Sequence, residues 1–272
     1  MENQTFIRFA FFCGILGFLI ILECVSPLVY GRKHLTGNRF ENTLLLFCTI
    51  GLSRLLVSMS AVSAAMLAQL NDFGFLNSFP FPASISFVIA IILLDFFIYW
   101  QHVAMHAFPL LWRFHQVHHT DRHLDTTTGF RFHPGEIILS AGYKWLIICL
   151  LGASPNAVVV FEIILSGFAL FTHSNSRLSL RSQQLLEKVF ITPEAHWVHH
   201  SERVLESQKN FGFCLCIWDR LFKTYTRYPL SRVLQLTFGV DGVKATRNNF
   251  IHLFLQPFQG MTDLNYLLRR RR

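Results

Sequence analysis

Charge is scarce in this 272-residue chain: Asp, Glu, Lys and Arg together make up 15% of it, against about a quarter in soluble proteins. A water-facing surface of ordinary composition cannot be built from so few charged side chains. Cysteine motifs are missing as well. Cys13, Cys24, Cys48 and Cys149 lie inside apolar runs, where a thiol behaves as a small hydrophobe. Cys214 and Cys216 form a C-x-C pair with no second pair to complete a zinc site. A disulfide framework is therefore not expected, which fits a catalytic portion facing a reducing cytosol. The chain has no dinucleotide-binding glycine fingerprint, flavin motif or iron–sulfur cysteine pattern. Any redox chemistry must then draw its electrons from another protein. Internal repeats, low-complexity tracts and long linkers are also absent.

What is present is apolar. Hydrophobic residues make up 52% of the chain, with 29 phenylalanines, and the net charge is +8. A basic balance can signal nucleic acid, but here the basic residues flank apolar runs and end in Arg269–Arg272 rather than interleaving with exposed aromatics. Nucleic acid is excluded as a partner on that ground. The terminal run is either an anchor to anionic headgroups or a solvated tail.

Residues Phe6–Tyr30, Thr43–Leu70 and Ala83–Trp100 read as three membrane spans, the first a retained helix rather than a signal peptide. Arg54 lies inside the second and needs a partner or a polar cavity. Ile137–Gly152 and Ala157–Phe171, joined at Ala153–Asn156, read as a helical hairpin entering the membrane. The segment Gly31–Asn42 carries Arg32, Lys33 and Arg39, whereas Asn71–Pro82 carries no Lys or Arg. The positive-inside rule then puts the first loop in the cytoplasm and the N-terminus outside. The expected fold is all-α: a polytopic membrane helical bundle with a cytoplasmic, histidine-rich helical cap. The expected division is N-terminal transmembrane helices over 1–90, a catalytic domain over 91–226, and a cytoplasmic extension with a basic tail over 227–272.

The 13 histidines are not scattered. His102 and His106 form H-x-x-x-H; His115, His118 and His119 form H-x-x-H-H; His196, His199 and His200 form a second H-x-x-H-H. Residues three and four apart share a helix face. Each box thus aims two or three imidazoles one way, with lone pairs suited to a borderline metal. A catalytic zinc takes three protein ligands or so, and eight imidazoles are too many for one ion. The count points to two metals. His34 and His252 read as ordinary surface residues, and His123, in the polar stretch Asp121–Asp125, is set aside.

The three boxes resemble those of the membrane-bound fatty acid hydroxylase and sterol desaturase superfamily. The resemblance runs through Asp95–Trp100, Leu111–His115, Arg131–Pro134, Thr172–Asn175, Asn210–Phe213 and Trp218–Phe222, about residues 90 to 226. Only eight residues separate His106 from His115, a short gap similar to that of the hydroxylase and sterol desaturase branch. The resemblance implies a di-iron centre with O2 as co-substrate, and two further ligands, assigned to His133 and His173. The ligand set expected is His102, His106, His115, His118, His119, His133, His173, His196, His199 and His200, the eight box histidines being the catalytic set.

Such a centre would oxidise an unactivated C–H bond of a lipid by hydroxylation or desaturation, with sterol, alkylglycerol ether, fatty acyl and carotenoid substrates all compatible. The lipid would enter laterally from the bilayer, and a ferredoxin or cytochrome b5-like carrier would supply electrons. Trp100, Trp112, Phe130 and Trp197 either shape the cavity or sit at the interface. Asp95, two helical turns before His102, could orient a ligand, and Glu162 could line the cavity or balance a charge. His133–Glu136 resembles the haem-binding His-Pro-Gly-Gly of cytochrome b5, but a short polar turn leaves no room for a haem domain. The rival readings are a metal-binding or transport protein, and a catalytically inactive scaffold. Transport would set its ligands near the bilayer midplane in broken helices, whereas these boxes lie at the ends of spans.

Overall fold

The computed structural model describes residues 2–30, 38–56, 60–243 and 249–259. Arg32, Lys33, His34, Lys244–Arg247 and the Arg269–Arg272 run, on which parts of the charge reading rest, lie outside the described residues. Among the described residues the chain is helical, with isolated bridges and no named strand.

Helix α1 (Glu2–Val25) is apolar on every side between Arg8 and Glu23 and exposes Phe6, Phe9, Phe11, Phe18 and Ile21. A helix that exposes this much phenylalanine belongs against hydrocarbon rather than water. It stops short of Tyr30 because Pro27 bridges to Ser176 and Leu28 N–H donates to Asn175 O, which draws Ser26–Tyr30 across the end of the bundle.

The expected span Thr43–Leu70 is not one helix, and this corrects the sequence reading. Helix α2 (Arg39–Leu56) and helix α3 (Ala61–Leu70) are separate. Ser60 takes an extended conformation and its side chain caps α3 by accepting from Ser63 N–H. A hydroxyl that satisfies an orphan N–H at that point favours a new helix start over continuation.

Helix α4 (Ala83–Ala107) runs seven residues past the predicted end at Trp100, so the first histidine box lies on its last two turns. Pro109 at the first helical position opens helix α5 (Pro109–His119), which carries the second box. A 3₁₀ turn, Thr126–Phe130, leads into the predicted hairpin, formed by helix α6 (Pro134–Leu151) and helix α7 (Pro155–His173). Gly152 ends α6 at φ 64°, and a Cβ there would stand 2.9 Å from Phe73 O. Helix α8 (Leu180–Leu186) and helix α9 (Pro193–His199) follow, α9 carrying the third box.

Of these, α1 from Gln4, α4, α6 and α7 are long and apolar enough to cross a membrane. Arg8 pairs with Glu162 near the start of α1, and Asn175 N–H donates to Glu23 near its end, so α1 and α7 run in the same direction. All three boxes therefore collect at one end of the bundle. The opposite end is held by a seam of small and branched side chains, including Ala64, Ala65, Ala90, Ala157 and Val158. Small residues let helix backbones approach closely where apolar burial gives no net drive.

Candidate metal centre

Nine of the ten expected histidines converge. His102, His106, His115, His119 and His199 form one group, and His118, His173, His196 and His200 a second, all buried. Within each group one ring nitrogen per residue lies within 4.8 Å of all the others. The groups adjoin: the His119 and His200 rings stack with centroids 4.4 Å apart.

The tautomers follow from the outer partners. His102 Nδ1 meets Phe211 O at 2.7 Å, His173 Nδ1 meets Ala169 O at 2.6 Å, and His199 Nδ1 meets Lys209 O at 2.8 Å. His115 Nδ1 lies 2.8 Å from Glu136 Oε1. Carbonyl and carboxylate oxygens only accept, so each of these Nδ1 atoms carries the proton and donates it outward. Each Nε2 is left as a lone pair pointing inward.

The Nε2 atoms lie close together. His102 Nε2 is 3.1 Å from the Nε2 atoms of both His115 and His199. His173 Nε2 is 3.0 Å from those of His118 and His200 and 3.1 Å from that of His196. Among His102, His115 and His199, whose tautomers are fixed, these contacts set acceptor against acceptor, and His119 Nε2 is buried with no hydrogen-bond partner. Adding protons is not the remedy. Burial, with neighbouring imidazoles second, holds His118, His119, His196 and His200 well below the ordinary histidine range, and burial pulls His199 down to about 3. Neutral, buried imidazoles with converging lone pairs fit metal cations. An all-nitrogen donor set of this kind suits first-row transition metals.

His133 is not brought to either group. Its Nδ1 accepts from Gly135 N–H at 3.0 Å, capping α6, and its Nε2–H donates to Phe254 O at 3.0 Å. Both nitrogens are already used, so the residue serves as a helix cap. Asp95 does not reach a histidine. It accepts from Trp218 Nε1–H at 2.8 Å and Leu215 N–H at 3.3 Å, which ties α4 to the loop whose Phe211 carbonyl orients His102.

Glu136, in the segment that resembled a haem motif, is the residue that sequence reasoning missed. The only signal for it was an acidic side chain opening an apolar helix two residues beyond Pro134.

A cavity of about 600 Å³ reaches the histidines from the bundle. Ile98, Met105, Phe130, Phe132, Leu170 and Phe213 give it apolar walls, and His102, His115 and Glu136 stand at one end. Of the four aromatics singled out in the sequence, only Phe130 lines it. Trp112 packs on His106 with centroids 4.9 Å apart, Trp197 packs on Phe238, and Trp100 packs on Phe222. Arg54 and Glu162, both flagged as charges in apolar spans, line the cavity.

The sequence matches the Fatty acid hydroxylase family over residues 87–224, about half of the chain and the stretch that holds all nine converging histidines. The chain belongs to the fatty acid hydroxylase family. Among curated relatives of this family member, Ornithine lipid hydroxylase OlsE of Rhizobium tropici is 29% identical over 177 residues, covering 65% of this chain and 51% of the relative. Alkylglycerol monooxygenase of Homo sapiens is 25% identical over 213 residues, covering 72% and 47%, and that of Danio rerio is 29% identical over 208 residues, covering 76% and 45%. The chain spans about half the length of these curated relatives. No solved structure matches it.

Proposed function

We propose that the protein is a membrane-bound lipid hydroxylase that uses O2 and two iron ions. The observation that carries this reading is the pair of buried imidazole groups whose Nε2 atoms converge at 3.0–3.1 Å while the Nδ1–H groups of His102, His115, His173 and His199 donate outward. His102, His106, His115, His119 and His199 would hold one ion, and His118, His173, His196 and His200 the other. When bound, the iron supplies O2 activation and removal of hydrogen from an unactivated C–H bond. The remaining work belongs to the chain.

Outer-shell acceptors fix the tautomers of His102, His115, His173 and His199 and raise their basicity, with Glu136 doing so for His115. The walls formed by Phe130, Phe132, Phe213 and Leu170 exclude water and aim an alkyl chain at His102 and His115. Hydroxylation is favoured over desaturation because the relatives named above are a hydroxylase and monooxygenases. Electrons come from a separate ferredoxin or cytochrome b5-like carrier. The histidine end faces the cytoplasm, in line with the charge bias of the loops.

The test is lipid mass spectrometry from cells grown under 18O2, comparing intact protein with the His118→Ala/His199→Ala double variant. A lipid that gains one 18O only with the intact protein supports hydroxylation. A lipid that loses two hydrogens without label makes the protein a desaturase. Matching lipidomes, with iron bound and a redox carrier supplied, would overturn the oxidase reading.

A further inference from the structure

Four ionisable groups line the same cavity well away from the histidines. They are Arg8 on α1, Arg54 on α2, Lys144 on α6 and Glu162 on α7. Glu162 pairs with Arg8 through Oε2 and with Lys144 through Oε1 at 3.7 Å. One carboxylate thus faces two cations. Arg54 has no hydrogen-bond or ion-pair partner among the described residues. At this end three cations against one carboxylate leave a formal charge of about +2 beside Phe12, Leu46, Ile50 and Leu165, and the cavity's other carboxylate, Glu136, is engaged by His115 at the far end. Arg54 is exposed while Arg8, Lys144 and Glu162 are half-buried, and an anion placed among these cations would form charge-assisted hydrogen bonds with them.

We propose that the cavity takes a lipid whose polar end is acidic, a carboxylate or a phosphate monoester. Arg54 holds that end together with Arg8 and Lys144. The alkyl chain then runs along the apolar walls toward His102 and His115. The proposal rests on the lipid-hydroxylase reading and names the class of substrate. It also bears on position. Glu162 precedes His173 by eleven residues of α7, about 16 Å of helix rise. The carbon presented at the histidines therefore belongs to the alkyl chain and is remote from the acidic group. Arg54 is a specificity residue in this scheme, not a structural one.

Equilibrium binding to the full chain in phosphatidylcholine nanodiscs tests this without turnover. Radiolabelled stearate, stearoyl lysophosphatidate and octadecanol serve as probes, with the wild type and the Arg54→Gln and Glu162→Gln variants. Either acidic probe, or both, should bind about tenfold more tightly than octadecanol. Whichever acidic probe prevails identifies the carboxylate or the phosphate as the source. Arg54→Gln should remove about tenfold of that affinity and leave octadecanol binding unchanged, whereas Glu162→Gln should strengthen binding of the acidic probes. Equal binding of all three probes overturns the proposal, as does a loss of octadecanol affinity in Arg54→Gln equal to that of the acidic probes. Charge-selective binding without 18O incorporation would keep this inference and sink the hydroxylase reading. Hydroxylation with no charge selectivity would do the reverse.

Discussion

The two ends of this bundle are built on different physics. At the end away from the histidines, Ala64, Ala65, Ala90, Ile148, Ala157 and Val158 pack into an apolar seam. At the histidine end a network of buried polar side chains is added to the apolar packing. Arg131 donates to Val117 O, Asn42 Oδ1 and Thr120 Oγ1, and Asp121 accepts from Asn38, Asn42 and Thr128. Glu23 accepts from Thr126 and Asn175, and Asp125 caps the 3₁₀ turn by accepting from Thr127 N–H. Packing tolerates exchange of one apolar side chain for another of similar size. A buried hydrogen-bond network does not, because each member removed leaves a partner unsatisfied. The histidine end is thus the specified one, and the far end is a hydrophobic mount for it.

The sharpest test of that contrast is Glu136→Ala. Removing the acceptor from His115 Nδ1–H should lower iron content or lipid oxidation by about 10- to 100-fold. Glu136→Gln keeps an acceptor oxygen and should recover part of the loss. Metal analysis alongside turnover would check both, and wild-type behaviour of Glu136→Ala would remove the residue from the site.

Acid separates the ends next. In the folded, metal-free chain His118, His119, His196 and His200 sit well below the ordinary value and His199 at about 3, through burial first. The unfolded chain therefore binds more protons as pH falls from about 6.5 toward 3. Stability should be fully present above about 6.5 and decline through that window. Thermal unfolding of the metal-free protein against pH would measure it, and a flat profile between pH 7 and 5 would count against neutral, buried imidazoles.

The smallest effect belongs to the seam. Ile148→Val should cost about 1 kcal/mol of stability and leave iron content untouched. A change in metal loading there would erase the distinction between the ends.

The histidine boxes were legible because spacing of three and four residues on a helix dictates a shared face, whatever the helix packs against. His173 and His133 were not separable that way. Each is a single histidine at the edge of an apolar run, and what divides them is which element lies opposite. The last turn of α7 places His173 beside His118, His196 and His200, whereas the start of α6 turns His133 toward Phe254. Glu136 was hidden for the same reason: its partner His115 is 21 residues away in sequence. The break between α2 and α3 was legible only as polar residues in an apolar run, and continuous hydropathy outweighed Ser60 as a cap.

Composition and spacing by themselves determined that this chain is a helical membrane protein with imidazoles gathered in boxes, since hydrophobicity and helical periodicity are local properties. Tertiary structure alone decided which imidazoles meet and that His102, His115, His173 and His199 carry their proton on Nδ1. It also decided where the charges of Arg8, Arg54, Lys144 and Glu162 gather. Lone pairs and charges act over a few ångströms in space, and the fold brings together residues 97 positions apart at His102–His199 and 154 apart at Arg8–Glu162.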